Sequence, residues 1–368
     1  MTSYDPFARG PHPVGVRSHT WTDESRDRAL PVEVWYPATD AHRGQDLDSE
    51  HQDRFRTMPM APEGQQAAVR DAEARGEPVA LVVFSHGFGG ERRQTTHFCT
   101  HLASHGYAVA SMDHVGNTTA DMLQQGMAAA SGTDAPDPFE LMERLIADRP
   151  ADASFVIDQM LAGAGGIPVD AERIGITGHS FGGWTTLQTA GKDARIRAAL
   201  PLAPAGGESP MTASLDRAEP IGAALDLAWS RDVPTLFLVA DRDTLLPLAG
   251  MRGLIERTPG PRRAIVLTEA DHFHFCDGVE QMHDLFRMMG PMMSGSGPLS
   301  AVDAKTMFEE MKPAAELCPA EHAYALIQGL GLAHMDAHLR EHAGATTWID
   351  GDLVALLAAR GIRAEEIE

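Results

Sequence analysis

Gly178-His179-Ser180-Phe181-Gly182-Gly183 holds the residues best suited to covalent chemistry. The stretch reads Gly-x-Ser-x-Gly. It follows the apolar run Arg173-Ile174-Gly175-Ile176-Thr177 and precedes a segment, Trp184 to Ala190, that reads as a helix. Strand, tight turn and helix in that order hold a serine in a strained turn with its hydroxyl exposed. The glycines answer the close approach of strand and helix backbones, where a side chain would clash. A glycine-rich turn with an ordinary N-cap serine has the same letters. The rest of the chain favours the nucleophile, because it also carries the partners such a serine needs.

A serine hydroxyl attacks well only when a base removes its proton. That base needs a carboxylate behind it to fix its tautomer and stabilise the imidazolium. The acid is expected just past the apolar run Thr235 to Ala240, where Asp241, Asp243 and, further off, Asp271 compete. Asp241 fits best as a residue capping the turn. The base is expected after Ala264 to Thr268, in Asp271-His272-Phe273-His274-Phe275. His272 lies nearer the strand end and is favoured over His274; among 17 histidines, a surface loop histidine is the plain alternative for either. An oxyanion hole needs two backbone N–H groups aimed at the developing negative oxygen. Phe181, next after the serine, offers one. Phe88, in the glycine-rich loop Ser85-His86-Gly87-Phe88-Gly89-Gly90, offers the other. His86, His179 and His274 flank these residues and are candidates for contacts behind the reacting groups or with substrate.

The elements that must position these residues alternate strand and helix. Val14 to Trp21 and Leu30 to Tyr36 read as strands joined by a charged turn. Val79 to Phe84 is a continuous apolar run, the mark of a strand covered on both faces. Helices are expected near Thr95 to Ser104, Phe139 to Ile146, Pro150 to Leu161, Leu248 to Ile255, Ala323 to Glu341 and Asp352 to Arg360. Further strands are expected at Tyr107 to Met112, Ile196 to Leu202, Thr235 to Ala240 and Ala264 to Thr268. The pattern is α/β: one domain over residues 1–368, with a mostly parallel central sheet and helices on both faces. Insertions are expected at about 40–77, 115–148, 203–231 and 280–312, as lid or cap candidates. The first is expected to be partly helical around Gln65 to Arg75, and residues 115–137 to be loop. The last is rich in methionine (Met282, Met288, Met289, Met292, Met293, Met307 and Met311), which suits either an adaptable wall over an acyl pocket or the packing of an extra helix pair.

Composition excludes several partners. Asp and Glu number 52 against 30 Lys and Arg, a formal net charge of -22 over 368 residues. Such a surface repels nucleic acid and anionic membranes. Cys99, Cys276 and Cys318 are odd in number and far apart, so no disulfide framework or zinc site is indicated. The N-terminus shows no apolar signal segment, and no run of about 18 apolar residues would span a membrane. A cytoplasmic location is expected, although an exported protein whose signal had been trimmed would read the same. No metal or cofactor is called for, the expected partner is a small-molecule ester, and oligomeric state is not readable.

As a set, these motifs resemble the α/β-hydrolase superfamily. More narrowly, the chain is similar to platelet-activating-factor acetylhydrolases and bacterial dienelactone-hydrolase-like serine esterases. The carrying pieces are Val34-Trp35-Tyr36-Pro37, Phe84 to Gly90, Asp113-His114-Val115-Gly116-Asn117, Asp148-Arg149-Pro150-Ala151-Asp152 and Gly178 to Gly183. The resemblance covers most of residues 30–280. It implies the chain order Ser, Asp, His. Ala240 to Pro247 resembles the superfamily's Gly-x-x-Asp-x-x-x-Pro turn, and that frame selects Asp243. His272 to Asp277 resembles the family's His-x-x-Phe-x-Asp loop, and that frame selects His272. Animal acetylhydrolases carry their acid after the strand that follows the nucleophile helix; here Leu200 to Gly207 has no carboxylate. Dienelactone hydrolases use a cysteine nucleophile, whereas this elbow holds serine. The resemblance therefore implies a serine esterase acting on short or medium acyl esters through an acyl-enzyme. Acyl transfer or amide cleavage on the same triad is the alternative, and a non-catalytic binding protein a more distant one.

Overall fold

A computed structural model describes residues 4–57, 61–132, 137–209, 220–293 and 304–367. The alternating N-terminal segment folds into an antiparallel hairpin, β1 (Val14–Asp23) and β2 (Arg28–Pro37). The helix expected around Gln65 to Arg75 does not form. Instead β3 (Asp53–Phe55) pairs with β4 (Gly64–Gln66), and β5 (Val69–Arg70) lies parallel to β1. Long-range polar anchors override local helical preference here. The Gln66 side chain accepts from Trp35 Nε1 at 2.7 Å and donates to Asp53 at 2.7 Å, while Arg70 donates to Asp53 and to buried Glu33.

β6 (Val79–Ser85) is covered on both faces, as its unbroken apolar run requires. Its Val82 and Phe84 join one core with Phe98 and Leu102, and its Leu81 and Val83 join another with Val156 and Ile157. α1 (Thr96–Ser104) and β7 (Ala108–Met112) follow as expected. Residues 119–130, expected as loop, form helix α2 (Thr119–Ala130). Asp121 explains it: its carboxylate accepts from the N–H groups of Gly116 and Thr118 and from the Thr118 hydroxyl, fastening the first turn. Residues 133–136 lie outside the described ones.

The two helices expected on either side of Pro150 are one, α3 (Pro138–Leu161), with Pro150 inside it. Buried Leu145 before the proline and buried Val156 and Ile157 after it keep one helix face on the core. Then come β8 (Val169–His179), α4 (Phe181–Lys192), β9 (Ile196–Leu202), a short α5 (Pro220–Ala224), β10 (Thr235–Ala240), α6 (Leu248–Arg257) and β11 (Arg262–Leu267). The C-terminal third adds α7 (Val279–Met293), α8 (Ala304–Glu310), α9 (Ala320–Leu339), α10 (Ala343–Ile349) and α11 (Leu353–Ala358). A charged edge strand unread in the sequence, β12 (Ala364–Ile367), pairs antiparallel with β11.

The sheet has ten strands in the order β12-β11-β10-β9-β8-β6-β7-β2-β1-β5. β7, β6, β8, β9, β10 and β11 run parallel, so their C-terminal ends gather the loops after β6, β8, β10 and β11 on one rim. Ligands bind at such rims in open α/β sheets. Among the described residues, no helix is long and apolar enough to cross a membrane.

Candidate active site

Ser180 sits between β8 and α4 with φ at 58°, in the left-handed region that costs a side-chain-bearing residue strain. Its side chain makes no cap hydrogen bond, so the hydroxyl is not spent as an ordinary N-cap. The close approach that demands glycine is visible: a Cβ at Gly182 would lie 1.8 Å from the Ser85 carbonyl oxygen. Ser180 is half-buried at the rim.

Of the competing acids and bases, the structure brings Asp243 and His272 together. Their carboxylate Oδ2 and imidazole Nδ1 lie 2.8 Å apart, both side chains nearly sealed from solvent. The other Asp243 oxygen accepts from the Leu245 and Leu246 N–H groups at 3.0 and 2.7 Å, which fixes the carboxylate's direction. Burial opposes protonation of His272, but the Asp243 charge, its hydrogen bond and the nearby Asp271 outweigh it and raise the imidazole above its usual range. Asp241 instead accepts from the Ala270 N–H. Asp271 accepts from the His272 and Thr244 N–H groups and the Thr244 hydroxyl. Both tie the two loops together, and neither hydrogen-bonds the imidazole ring.

The three flanking histidines are braces. His179 donates from Nε2 to the His272 carbonyl at 3.0 Å, and its ring lies 4.5 Å from that of His272. Its Nδ1 accepts from the Gln94 amide at 3.0 Å, and the Gln94 carbonyl oxygen accepts from the Gly87 N–H at 2.9 Å. Gln94, which stands in no recognisable motif, thus links the glycine-rich loop to the serine elbow and the base loop. His86 donates to the Gly87 carbonyl and accepts from the His114 N–H. His274 accepts from the Asp271 N–H and donates to the Cys318 carbonyl. Burial is the main cause that lowers the imidazoles of His86, His179 and His274, so all three are neutral.

A Cβ at Gly87 would lie 3.4 Å from Ser180 Cβ, so the glycine-rich loop passes directly over the serine. A turn closed by the Gly90 N–H on the Gly87 carbonyl, with Gly89 at φ +67°, presents Phe88, whose ring lies 6.4 Å from that of Phe181. Among the described residues, neither the Phe88 nor the Phe181 N–H has a protein acceptor. The Ser180 hydroxyl and His272 Nε2 are not hydrogen-bonded to each other here, a contact that in resting sites can close only with substrate. The methionine-rich segment divides: Met307 and Met311 pack with Phe308 against Phe273 beside the base, while Met282, Met288 and Met289 are exposed.

A second serine–histidine–aspartate line lies behind the first. Ser85 Oγ donates to His114 Nε2 at 2.9 Å, and His114 Nδ1 donates to Asp152 at 2.9 Å. All three residues are 0% exposed. Asp152 also accepts from Arg26 and Arg28 at 2.8 Å. Burial, then the Arg149 charge, pushes His114 down to about 3. Their segments were readable as motifs, but not that they meet. Among the described residues, no group of three His, Cys, Asp or Glu side chains is spaced to hold a metal ion.

A parallel sheet with a strained serine elbow, a glycine-rich loop and a histidine–aspartate pair on one rim defines an α/β-hydrolase. Residues 66–272 match the family described as the dienelactone hydrolase family, and the chain belongs to it. Platelet-activating factor acetylhydrolase of Cavia porcellus is 30% identical over 155 residues, covering 35% of this chain and 36% of that protein. Cutinase est1 of Thermobifida alba is 28% identical over 173 residues, covering 46% of this chain and 44% of that protein. The matches thus span well under two thirds of these curated relatives. Ferulic acid esterase from Streptomyces cinnamoneus has the same fold, with a TM-score of 0.59, 24% identity and coverage of 91% of this chain and 93% of that one.

Proposed function

We propose that the protein is a serine hydrolase of carboxylic esters with short to medium acyl groups. The observation that carries this reading is the 2.8 Å His272–Asp243 pair beside a positive-φ serine whose hydroxyl caps nothing. The hydrolases named among the relatives support the ester class, and the serine at the elbow argues against a dienelactone as the substrate.

Ser180 Oγ bonds to the ester carbonyl carbon as its proton passes to His272 Nε2 and the carbonyl electron pair moves onto oxygen. Phe88 and Phe181 N–H groups receive that oxyanion. Asp243 steadies the imidazolium. The tetrahedral intermediate collapses, the alkoxide leaves with the proton from His272, and an acyl-enzyme remains. Water repeats the sequence in place of the serine and releases the acid. The test is turnover of p-nitrophenyl acetate and butyrate: Ser180→Ala should reduce it by about 10⁴-fold or more, and undiminished turnover would overturn the assignment.

A further inference from the structure

Arg149, on α3, is a fully buried guanidinium that the mechanism above does not use. Among the described residues no carboxylate pairs with it. Its partners are neutral oxygens: Nε donates to Thr185 Oγ1 at 3.0 Å, one terminal nitrogen to Asn117 Oδ1, and the other to the His86 carbonyl and, at 3.3 Å, to Ser85 Oγ. The guanidinium carbon lies 4.4 Å from the centre of the Phe181 ring. Thr185 in turn donates to the Phe181 carbonyl at 2.9 Å. One side of the fork therefore grips the loop that carries Phe88, and the other grips the first turn of the elbow helix that carries Phe181.

The surrounding network makes this charge dependable. Burial lowers Arg149 to about 9, so it stays protonated at neutral pH. Ser85, which accepts from Arg149, donates its own hydroxyl hydrogen bond to His114, and His114 donates to Asp152. Asp152 is anchored by Arg26 of the β1–β2 turn and by Arg28 at the start of β2. The second serine–histidine–aspartate line is thus part of the mount that holds Arg149. Burying an arginine without a paired carboxylate is costly. In a low-dielectric interior such a charge acts strongly on charge that develops nearby.

We propose that Arg149 is the positioning residue of the oxyanion hole. It clamps the Phe88 loop to the Phe181 elbow and places a buried positive charge behind the two backbone donors. This rests on the serine-hydrolase reading above.

The experiment compares the parent protein with Arg149→Lys and Arg149→Met. The readouts are kcat and KM on p-nitrophenyl butyrate, and affinity for an alkyl trifluoromethyl ketone, which adds to the serine and carries the oxyanion. The removal of charge and fork in R149M should lower kcat by about 10- to 100-fold with KM nearly unchanged, and weaken the ketone by the same factor. R149K keeps the charge and loses the fork, so both should fall by about 3- to 10-fold. If R149M does not fold, R149K carries the test alone. Folded variants with parental kcat and ketone affinity, or a loss confined to KM, would overturn the proposal. A parent protein that neither turns over the ester nor binds the ketone would instead sink the serine-hydrolase reading, and this inference with it.

Discussion

Ser85–His114–Asp152 and Ser180–His272–Asp243 use the same three residue types, yet the line with the more complete hydrogen bonding is the one sealed from substrate. In the inner line both contacts are made at 2.9 Å and every residue is 0% exposed. Ser85 ends an extended strand, and its hydroxyl is shared between His114 and Arg149. In the outer line the serine stands on a strained turn with no capping bond. The histidines diverge as well: His114 is driven down by burial and Arg149, whereas Asp243 holds His272 up. Hydrogen-bond geometry alone therefore identifies a satisfied polar network. A reacting line also needs an accessible hydroxyl and a base whose protonated form is stabilised.

The largest contrast is expected at the two aspartates. Asp243→Asn should lower kcat by about 10³- to 10⁴-fold, by removing the group that orients His272, with little change in thermal stability. Asp152→Asn should do the reverse. It leaves Arg26 and Arg28 without their buried partner and should cost about 3–5 kcal/mol in denaturant unfolding, while loosening of the Arg149 mount should lower kcat of the folded fraction by less than about tenfold. Equal kinetic losses would erase the distinction between the lines.

Next in size is Ser85→Ala. It leaves His114 Nε2 without its donor and should cost about 1–3 kcal/mol of stability, with less than a tenfold loss of kcat. A loss as large as that of Ser180→Ala would reverse the roles assigned to the two serines.

Smallest is a pH effect. His272 acts as a base only when neutral, and its raised imidazole means the proton leaves at higher pH than usual. The acid limb of kcat/KM should therefore lie above the ordinary value of 6.5 and shift downward in Asp243→Asn. His114 sharpens the comparison through stability. Its folded value, about 3, is below the unfolded 6.5, so the unfolded chain binds more protons between these values. Its stabilising contribution is complete above pH 6.5 and is lost as pH falls toward 3. Unfolding midpoints measured across that window should fall less steeply in His114→Gln.

What was legible in the sequence follows from how local each feature is. Ser180, Asp243 and His272 each sit just past an apolar strand, in short motifs whose letters carry their geometry. The strands of the parallel sheet were legible for the same reason, and Ile196–Leu202 and Thr235–Ala240 fall where the apolar runs place them. Gln94, Arg149 and the inner line were not legible as a unit. Their meaning lies in contacts such as Gln94 with His179 and Arg149 with the His86 carbonyl, which only the folded sheet creates. The braces His86, His179 and His274 were readable as histidines near the site, but their hydrogen bonds turn them toward the backbone and Gln94. Helix α2 was hidden by Gly126, where a Cβ would meet nothing within 4 Å, and was supported by an Asp121 contact to the Thr118 N–H whose strength the letters understate.

The central claim is that Ser180, and not Ser85, is the nucleophile. The most direct measurement is labelling of the intact protein with a fluorophosphonate, followed by peptide mass mapping of the adduct. A single adduct on Ser180, abolished in Ser180→Ala and retained in Ser85→Ala, is the predicted result. An adduct on Ser85, or labelling that survives Ser180→Ala, would contradict it.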